Sequence, residues 1–581
     1  MLPYVASAKI CDCANIEVLR SFGVQNFDAC FVCVNKNFQA CLEITDQLKE
    51  LGAKRVYSKA DRDLEAKFLR RCGADFIIYP ERDVIMSVLA FALLFVAAMN
   101  YILNSVSSLP IRARSVGVHK CNGASSKDIF NMFLFETAAL FVVALVCMAL
   151  LLFAFREYVA DMAAVPTLGT LLNAQTIWLP AIMILAIFIL SALLPARLFS
   201  VIPVTQVFRV STSGKQGWKR SLLFIQFGGI AFVITLLVIV LLQYDRLMNN
   251  DLGYDPENIV YASLDNMDDQ KTAKLTAEFK KVPYVTGLGF SSMDILSGYG
   301  GFPILDNEKN WLFTARQVNY NADYLSLMKI PLLEGQPLKG DGDILVNESF
   351  VSKRGWTDGA IGKYIYDDEG NLKGKIVGVT RDFMVNSFFT PQLPVIMFGS
   401  DRMSYCNFTV RVSELTPEYL REMNDRIAEL FPDEDVGFTV LKTIIESQYE
   451  GTRHFRDGVF VASIAILLIT LMGLLGYITD EMHRRSKEIA IRKVNGATAP
   501  NILRLLSKDV LVTAFPAILL GVIASRVVGE SWLRQFADKI PLTVFIFIST
   551  ALLVLAIIWG CVILKSWNIA NENPVRSIKN E

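Results

Sequence analysis

Seven apolar stretches, each long enough to cross the hydrocarbon core of a bilayer, set the limits on what this chain can fold into. They run over roughly 85–104, 133–155, 177–196, 221–243, 458–478, 509–529 and 541–564. A core about 30 Å thick asks for about 20 apolar residues in helical form. Composition agrees, with 53% hydrophobic and only 20% charged residues, more apolar than soluble globular chains. Pro180, Pro195 and Pro516 fall within or at the ends of these runs. Spans tolerate proline where neighbouring helices satisfy the freed carbonyls. The 57 basic and 57 acidic residues leave no net charge, so the basic footprint of a nucleic-acid binder is missing. Polar sequence follows residues 1–10 too closely for a signal peptide, and none is expected.

Basic residues in short loops orient the spans. Residues 197–220 carry Arg197, Arg209, Lys215, Lys219 and Arg220 with no acid. Residues 105–130 carry Arg112, Arg114, Lys120 and Lys127 against Asp128, and 480–508 are rich in Arg and Lys. These loops and the C-terminal tail are expected inside. The loops 156–176 and 530–540, the long stretch 244–457 and residues 1–84 then fall outside.

An internal repeat is the second strong signal. Residues 114–126 read RSVGVHKCNGASS and residues 487–499 read KEIAIRKVNGATA. Lys120, Asn122, Gly123 and Ala124 match Lys493, Asn495, Gly496 and Ala497 at an offset of 373. The flanking spans match at that offset, and Pro203–Val204 and Pro574–Val575 end the two units alike. The unit 85–210 is therefore repeated as 458–581, with 221–243 as a separate span. Asn–Gly marks a break: a short helix should end there, and another should start near Ser125 or Thr498 with a capping hydroxyl.

Residues 244–457 alternate short apolar runs with turns, the pattern of an α+β domain. Strands are expected at Ile376–Val379 and Phe438–Leu441, with a turn at Gly370–Asn371. A helix is expected over Leu415–Phe431, entered from Thr416 and Pro417. The stretch Val346–Trp356 reads as strand end, helix and glycine stop. No metal-spaced cluster or nucleophile elbow is legible there, and its cysteine Cys406 has no partner within the stretch. Six cysteines lie in the first 72 residues, a reduced, cytosolic usage. The pair Cys30-x-x-Cys33 sits in an apolar run and is expected on a buried strand.

These motifs carry a resemblance. Residues 85–581 resemble the permease subunit of FtsX-like, MacB-like ABC transporters, in the duplicated form common in Bacteroidetes. The residues that carry it are the two Asn-Gly-Ala loops, LVNESFVSKRGW at 345–356, VGVTRDF at 377–383 and NPVRSIKN at 573–580. The resemblance implies a multi-spanning cytoplasmic (inner) membrane protein with an extracytoplasmic MacB-like core domain over 244–457. It implies a separate, dimeric ABC ATPase as partner, with further envelope proteins open. It also implies coupling by mechanotransmission: ATP is used by the partner and the outer domain changes shape. The loop residues that would contact the ATPase are Lys120, Asn122, Gly123 and Ala124, and Glu488, Arg492, Lys493, Asn495, Gly496 and Ala497. The first copy departs from the pattern at Ser115 and His119. The chain holds no Walker A sequence, so no enzymatic activity, cofactor or metal is expected of it.

Residues 10–83 resemble instead part of the Rossmann-like TrkA/RCK regulatory domain of potassium-uptake proteins. The resemblance rests on EVLRSFGV at 17–24, FDACFVCV at 27–34, LKELGA at 48–53 and GADFIIYPE at 73–81. Strands at 29–34, 54–58 and 75–78 alternate with helices at 38–51 and 61–72. Asp12 matches a nucleotide-side position of that family, but its glycine-rich turn is missing, and no nucleotide site is expected. A cytosolic domain ahead of a span that the charges place the other way round is a conflict, which a join of two unrelated pieces near Val84 would explain. The permease part likewise starts at the second helix of the duplicated form. Two alternatives to a permease are a potassium-transport protein and a membrane-anchored enzyme of the outer face. The first lacks a TVGYG-like filter and the second lacks a catalytic cluster.

Overall fold

The computed structural model describes residues 13–570 apart from 14, 35–37, 61–62, 108, 163–168, 170–176, 201–216, 266, 297–299, 307, 309, 386–391, 401–405 and 433. Asp12, Pro203–Val204 and the NPVRSIKN ending lie outside the described residues. The chain divides into two units, one made of 1–244, 451–534 and 540–581 and the other of 245–450 with 535–539.

Among the described residues, six helices are long and apolar enough to cross a membrane: Asp83–Leu103, Ser126–Ala154, Arg220–Asn249, Glu450–Met482, Ala499–Leu533 and Val544–Trp567. The chain is a multi-spanning helical membrane protein. The third expected span is also a helix, Trp178–Ser200, which carries the apolar stretch Pro180–Leu193. Pro516 sits inside Ala499–Leu533 without ending it.

The spans pack where side chains are small. Ala517, Gly521, Ser525 and Gly529 recur every fourth residue on Ala499–Leu533, and all four are buried. In lipid, helices have no hydrophobic drive to associate, so close backbone approach through such stripes does the work. A Cβ on Gly521 would overlap the Gly228 carbonyl, and one on Gly529 would lie 2.8 Å from Ile239 Cδ1. The two repeats meet at matched positions. Asn100 Nδ2 of helix Pro80–Ser107 donates to the Ile469 carbonyl of helix Glu450–Arg484 at 2.8 Å. Its Oδ1 lies where a Cβ on Gly473, the residue 373 positions on, would come within 2.5 Å.

At the N-terminus, parallel strands Cys30–Val32, Val56–Lys59 and Phe76–Ile78 form a three-stranded sheet in sequence order. Helices Phe38–Glu50 and Asp63–Arg71 pack on it around Ile44, Leu48, Val56 and Leu69. The β/α alternation is as expected, but the burial of Cys30-x-x-Cys33 is not. Cys30 is half-buried and Cys33 exposed. The reason is that Cys33 follows Phe31 on the face where Phe31, Tyr57 and Phe76 stack in register at 4.7 and 4.6 Å, and among the described residues that face is open to solvent at Phe31 and Phe76.

The second unit is α+β. Nine strands run in the order Tyr364–Tyr366, Leu372–Thr380, Asp343–Asn347, Val395–Gly399, Trp311–Tyr320, Val285–Ser291, Cys406–Val412, Ile259–Leu264 and Thr439–Val440. Strand Gly300–Leu305 pairs with Trp311–Tyr320, and Leu332–Gly335 with Leu372–Thr380. The sheet has two cores, one around Phe279, Phe408 and Met423 and one around Ile344, Phe350 and Ile376. A single register pair, Ser291 with Tyr320, joins the strands between them. Helix Pro417–Leu430 starts at Thr416, whose hydroxyl accepts from Tyr419 N, and Gly370 takes positive φ in the expected turn. Only Thr439–Val440 of the last expected strand is extended, because a helix begins at Leu441.

The LVNESF and VGVTRDF motifs close on each other. The Asn347 side chain accepts from Phe350 N and Val395 N and donates to Asp382 Oδ1 and the Leu393 carbonyl. Asp382 accepts in turn from Ser349 N and Oγ. These motifs hold the sheet to helix Glu348–Arg354, which Gly355 stops at φ 73°.

Sidedness has a direct test. Cys406 is a poor probe, since it is 1% exposed and burial pushes its thiol up to about 12. The exposed native Cys121 and an Asp368→Cys variant, each as the sole cysteine, serve instead. An impermeant thiol reagent is expected to label Asp368→Cys in intact cells and Cys121 only after permeabilisation. The reverse pattern would overturn the orientation.

Candidate functional site

The two copies of the repeat motif build the same object. Helix Leu109–Cys121 ends at Asn122–Gly123, and helix Ser486–Val494 ends at Asn495–Gly496. In the first, Ala124 N donates to His119 O at 3.0 Å and Gly123 N to Lys120 O at 3.1 Å. In the second, Ala497 N donates to Arg492 O at 2.9 Å and Gly496 N to Lys493 O at 3.0 Å. These paired bonds form a Schellman stop, which places the residue after the helix in the left-handed region. Gly123 has φ 91° and Gly496 φ 89°. A Cβ at either position would meet nothing within 4 Å, so backbone conformation is sufficient reason for both glycines. A left-handed non-glycine residue costs about 1–2 kcal/mol.

The next helix starts at once. Ser125 caps Ser126–Ala154 in a reciprocal box with Asp128: its Oγ accepts from Asp128 N, and Asp128 Oδ2 accepts from Ser125 N at 2.8 Å. Thr498 holds the same place before Ala499–Leu533 without a side-chain cap bond. Proline in the first turn of that helix, Pro500, has no N–H to be satisfied.

Burial matches position by position. Val116 and Gly117 are buried, as are Ile489 and Ala490. Val118, His119 and Cys121 are exposed, as are Ile491, Arg492 and Val494. Each motif helix thus turns an apolar pair outward just before its turn, Val118 with Cys121 and Ile491 with Val494. Ile491 is 60% and Val494 68% exposed. None of these four residues is among the expected contacts, although both copies carry an apolar pair spaced three apart beside a basic pair.

The charged positions divide. Lys120 Nζ donates to the Ser200 carbonyl at 2.9 Å, which ties the first turn to the end of Trp178–Ser200. Arg492 donates to Glu488 at 2.7 Å, one helical turn apart and exposed. Such a pair adds only a few tenths of a kcal/mol, so Arg492 remains available at the surface. Asn122, Gly123, Asn495 and Gly496 are exposed, and Ala124, Lys493 and Ala497 half-buried. All ten candidate residues therefore lie on or beside the two turns.

Comparison with known proteins follows this division. The FtsX-like permease C-terminal domain matches residues 87–204 and again 460–574. The two matches begin 460 − 87 = 373 residues apart, the offset of the repeat. The TrkA-N domain matches residues 4–80. The chain is 42% identical over 77 residues to the Ktr system potassium uptake protein C of Bacillus subtilis (strain 168), covering 13% of this chain and 35% of that protein. It is 31% identical over 81 residues to the Ktr system potassium uptake protein A of Vibrio alginolyticus, covering 14% and 37%. The chain thus spans about a third of the length of the curated relatives it matches. Among solved structures, it is similar to the periplasmic region of MacB from Actinobacillus actinomycetemcomitans, at 13% identity and TM-score 0.27, over 35% of this chain and 97% of that one. It is also similar to a domain of a putative permease protein from Porphyromonas gingivalis, at 13% identity and TM-score 0.25, over 33% and 97%.

Proposed function

We propose that this chain, which carries two FtsX-like permease domains behind a TrkA-N domain, is the membrane subunit of an ABC transporter whose ATPase is a separate polypeptide. The observation that carries this reading is the duplicated turn. Two loops far apart in sequence end in the same hydrogen-bonded stop and turn outward the same apolar pair beside a basic residue. Positive-inside charge alone requires neither feature. A rigid, self-closed knob with an apolar tip suits docking into a cleft of a partner. The ATPase would bind ATP and move the knobs, and the spans would pass that movement to the α+β domain on the opposite face. Mechanotransmission of this kind needs no substrate path between the helices. The inner membrane is the proposed location.

The test is mild solubilisation of the tagged full chain from its native host. An ATP-hydrolysing subunit is expected to co-purify in fixed ratio. Its absence from detergent and nanodisc preparations alike would overturn the reading. Residues 81–581 expressed alone are expected to recover it equally, since no part of 1–80 is assigned to that contact. A fall in yield would place the TrkA-N domain in the complex.

A further inference from the structure

The second motif helix is fastened to the bundle by an ionic network with no complete counterpart in the first copy. Arg485 is the residue between helix Glu450–Arg484 and the motif helix Ser486–Val494. Its Nη2 donates to Asp509 Oδ2 of helix Ala499–Leu533 at 2.5 Å. Its Nε lies 2.5 Å from Glu481 Oε1, one turn back, as an ion pair. Asp509 Oδ2 also lies 3.5 Å from Arg220 Nη2, at the start of helix Gly217–Asn249. Glu481 is 6% exposed and the Arg485 side chain 19%, while the Asp509 and Arg220 side chains are 30% and 42% exposed. Tyr477, Ile478, Leu506, Val510 and Val562 line the cleft around them.

Such a network is weak evidence for stability, because desolvation offsets most of the attraction at the buried Glu481–Arg485 end and solvent screens the exposed Arg220 end. Their worth lies in fixing one arrangement of the elements that carry them. Here the elements are three: the junction of the motif helix, the helix that follows the motif, and the helix that runs on into the α+β unit. The repeat makes the point by contrast. The positions 373 residues earlier are Ser108, Arg112 and Glu136, so the acid equivalent to Glu481 is missing there, and Glu136 is exposed.

We infer that Glu481, Arg485, Asp509 and Arg220 form a positioning latch, through which displacement of the second motif turn moves Ala499–Leu533 and Gly217–Asn249 together. This rests on the permease reading and names the residues through which the proposed movement leaves the docking knob. None of the four needs to touch the ATPase.

The test uses the full chain with its co-purified ATPase in nanodiscs, and two readouts. One is recovery of the ATPase. The other is the ATP-dependent change in thiol labelling of Asp368→Cys in the α+β unit. Asp509→Asn removes the central charge at constant shape, and Arg220→Gln removes only the arm to Gly217–Asn249. Each is expected to leave ATPase recovery unchanged while cutting the ATP-dependent labelling change by roughly five-fold or more. The double variant is expected to do no more than either alone, because the residues act as one path. Asp509→Glu, which puts back the carboxylate found at position 136, is expected to restore the response. Retention of the response in Asp509→Asn would overturn the latch. So would equal loss of recovery and response, since the network would then only shape the docking surface. Absence of any ATPase from the unsubstituted chain would instead overturn the permease reading itself.

Discussion

Gly521→Leu is expected to unfold the membrane bundle in detergent, while Gly560→Leu is tolerated. Both glycines lie inside spanning helices, and hydropathy alone does not separate them. At Gly521 an added Cβ would overlap the Gly228 carbonyl and sit 3.0 Å from Ala231 Cβ and from Phe232 N. Two of these three atoms are backbone, so relief requires the helices to move apart. That separation would also loosen Ala517, Ser525 and Gly529, which share the interface. Overpacking a tight core costs about 1–3 kcal/mol where side chains can give; the loss here should exceed that range because they cannot. At Gly560 a Cβ would meet nothing within 4 Å, and leucine is the better helix former by roughly 1 kcal/mol. Thermal melting of the detergent-solubilised chain, followed by size-exclusion chromatography, reads both. Equal melting of the two variants would show that Gly228 and Gly521 are not in close contact.

The second large effect concerns docking. Ile491→Asp combined with Val494→Asp is expected to lower ATPase recovery about ten-fold or more, since ten-fold corresponds to only 1.4 kcal/mol. A residue that acts as a hot spot at an interface centre costs about 2 kcal/mol or more when truncated, and here a charge is also placed in the contact. Both residues are exposed in the free chain, so the substitutions leave its own packing intact, and melting should not change. Gly496→Asn is the companion variant. Asparagine adopts the left-handed conformation at small cost, so it keeps the turn while adding bulk beside the apolar pair. Loss of recovery there would mean that the partner approaches the glycine closely; normal recovery would leave the turn geometry as its whole purpose. The matched change Val118→Asp with Cys121→Asp asks whether the first knob docks as well. Unchanged recovery in the Ile491→Asp, Val494→Asp variant would remove the apolar pair from the contact.

Several of these features were legible in the sequence because they are local. The Asn-Gly-Ala repeat, the Thr416–Pro417 helix start and the Gly355 stop each follow from the conformational needs of one or two residues, and each stands where the sequence put it. The docking surface was only half legible. Lys120 looked like a partner-facing charge, yet it is bonded to Ser200, a contact that needs the third helix of the unit to be in place. Val494 stands between Lys493 and Asn495, and its exposure follows only from the rotation at which the short helix is held. The exposure of Cys33 escaped for a similar reason. Alternation of apolar residues marks a strand, but says nothing of whether a helix covers its second face. The latch at Asp509 combines residues from three helices, 220, 481–485 and 509, and sequence spacing carries no record of that meeting.

The Asn100–Ile469 hydrogen bond has a consequence in time. Its partners are 369 residues apart, and almost the whole α+β unit is synthesised between them. Chains emerge N-terminus first at about 5–20 residues per second. The first unit is therefore synthesised tens of seconds before the Asn100–Ile469 bond can form. The motif turns close on bonds five residues long and need not wait. Assembly is thus ordered by distance along the chain: the knobs form early, and the crossing of the two repeats forms late.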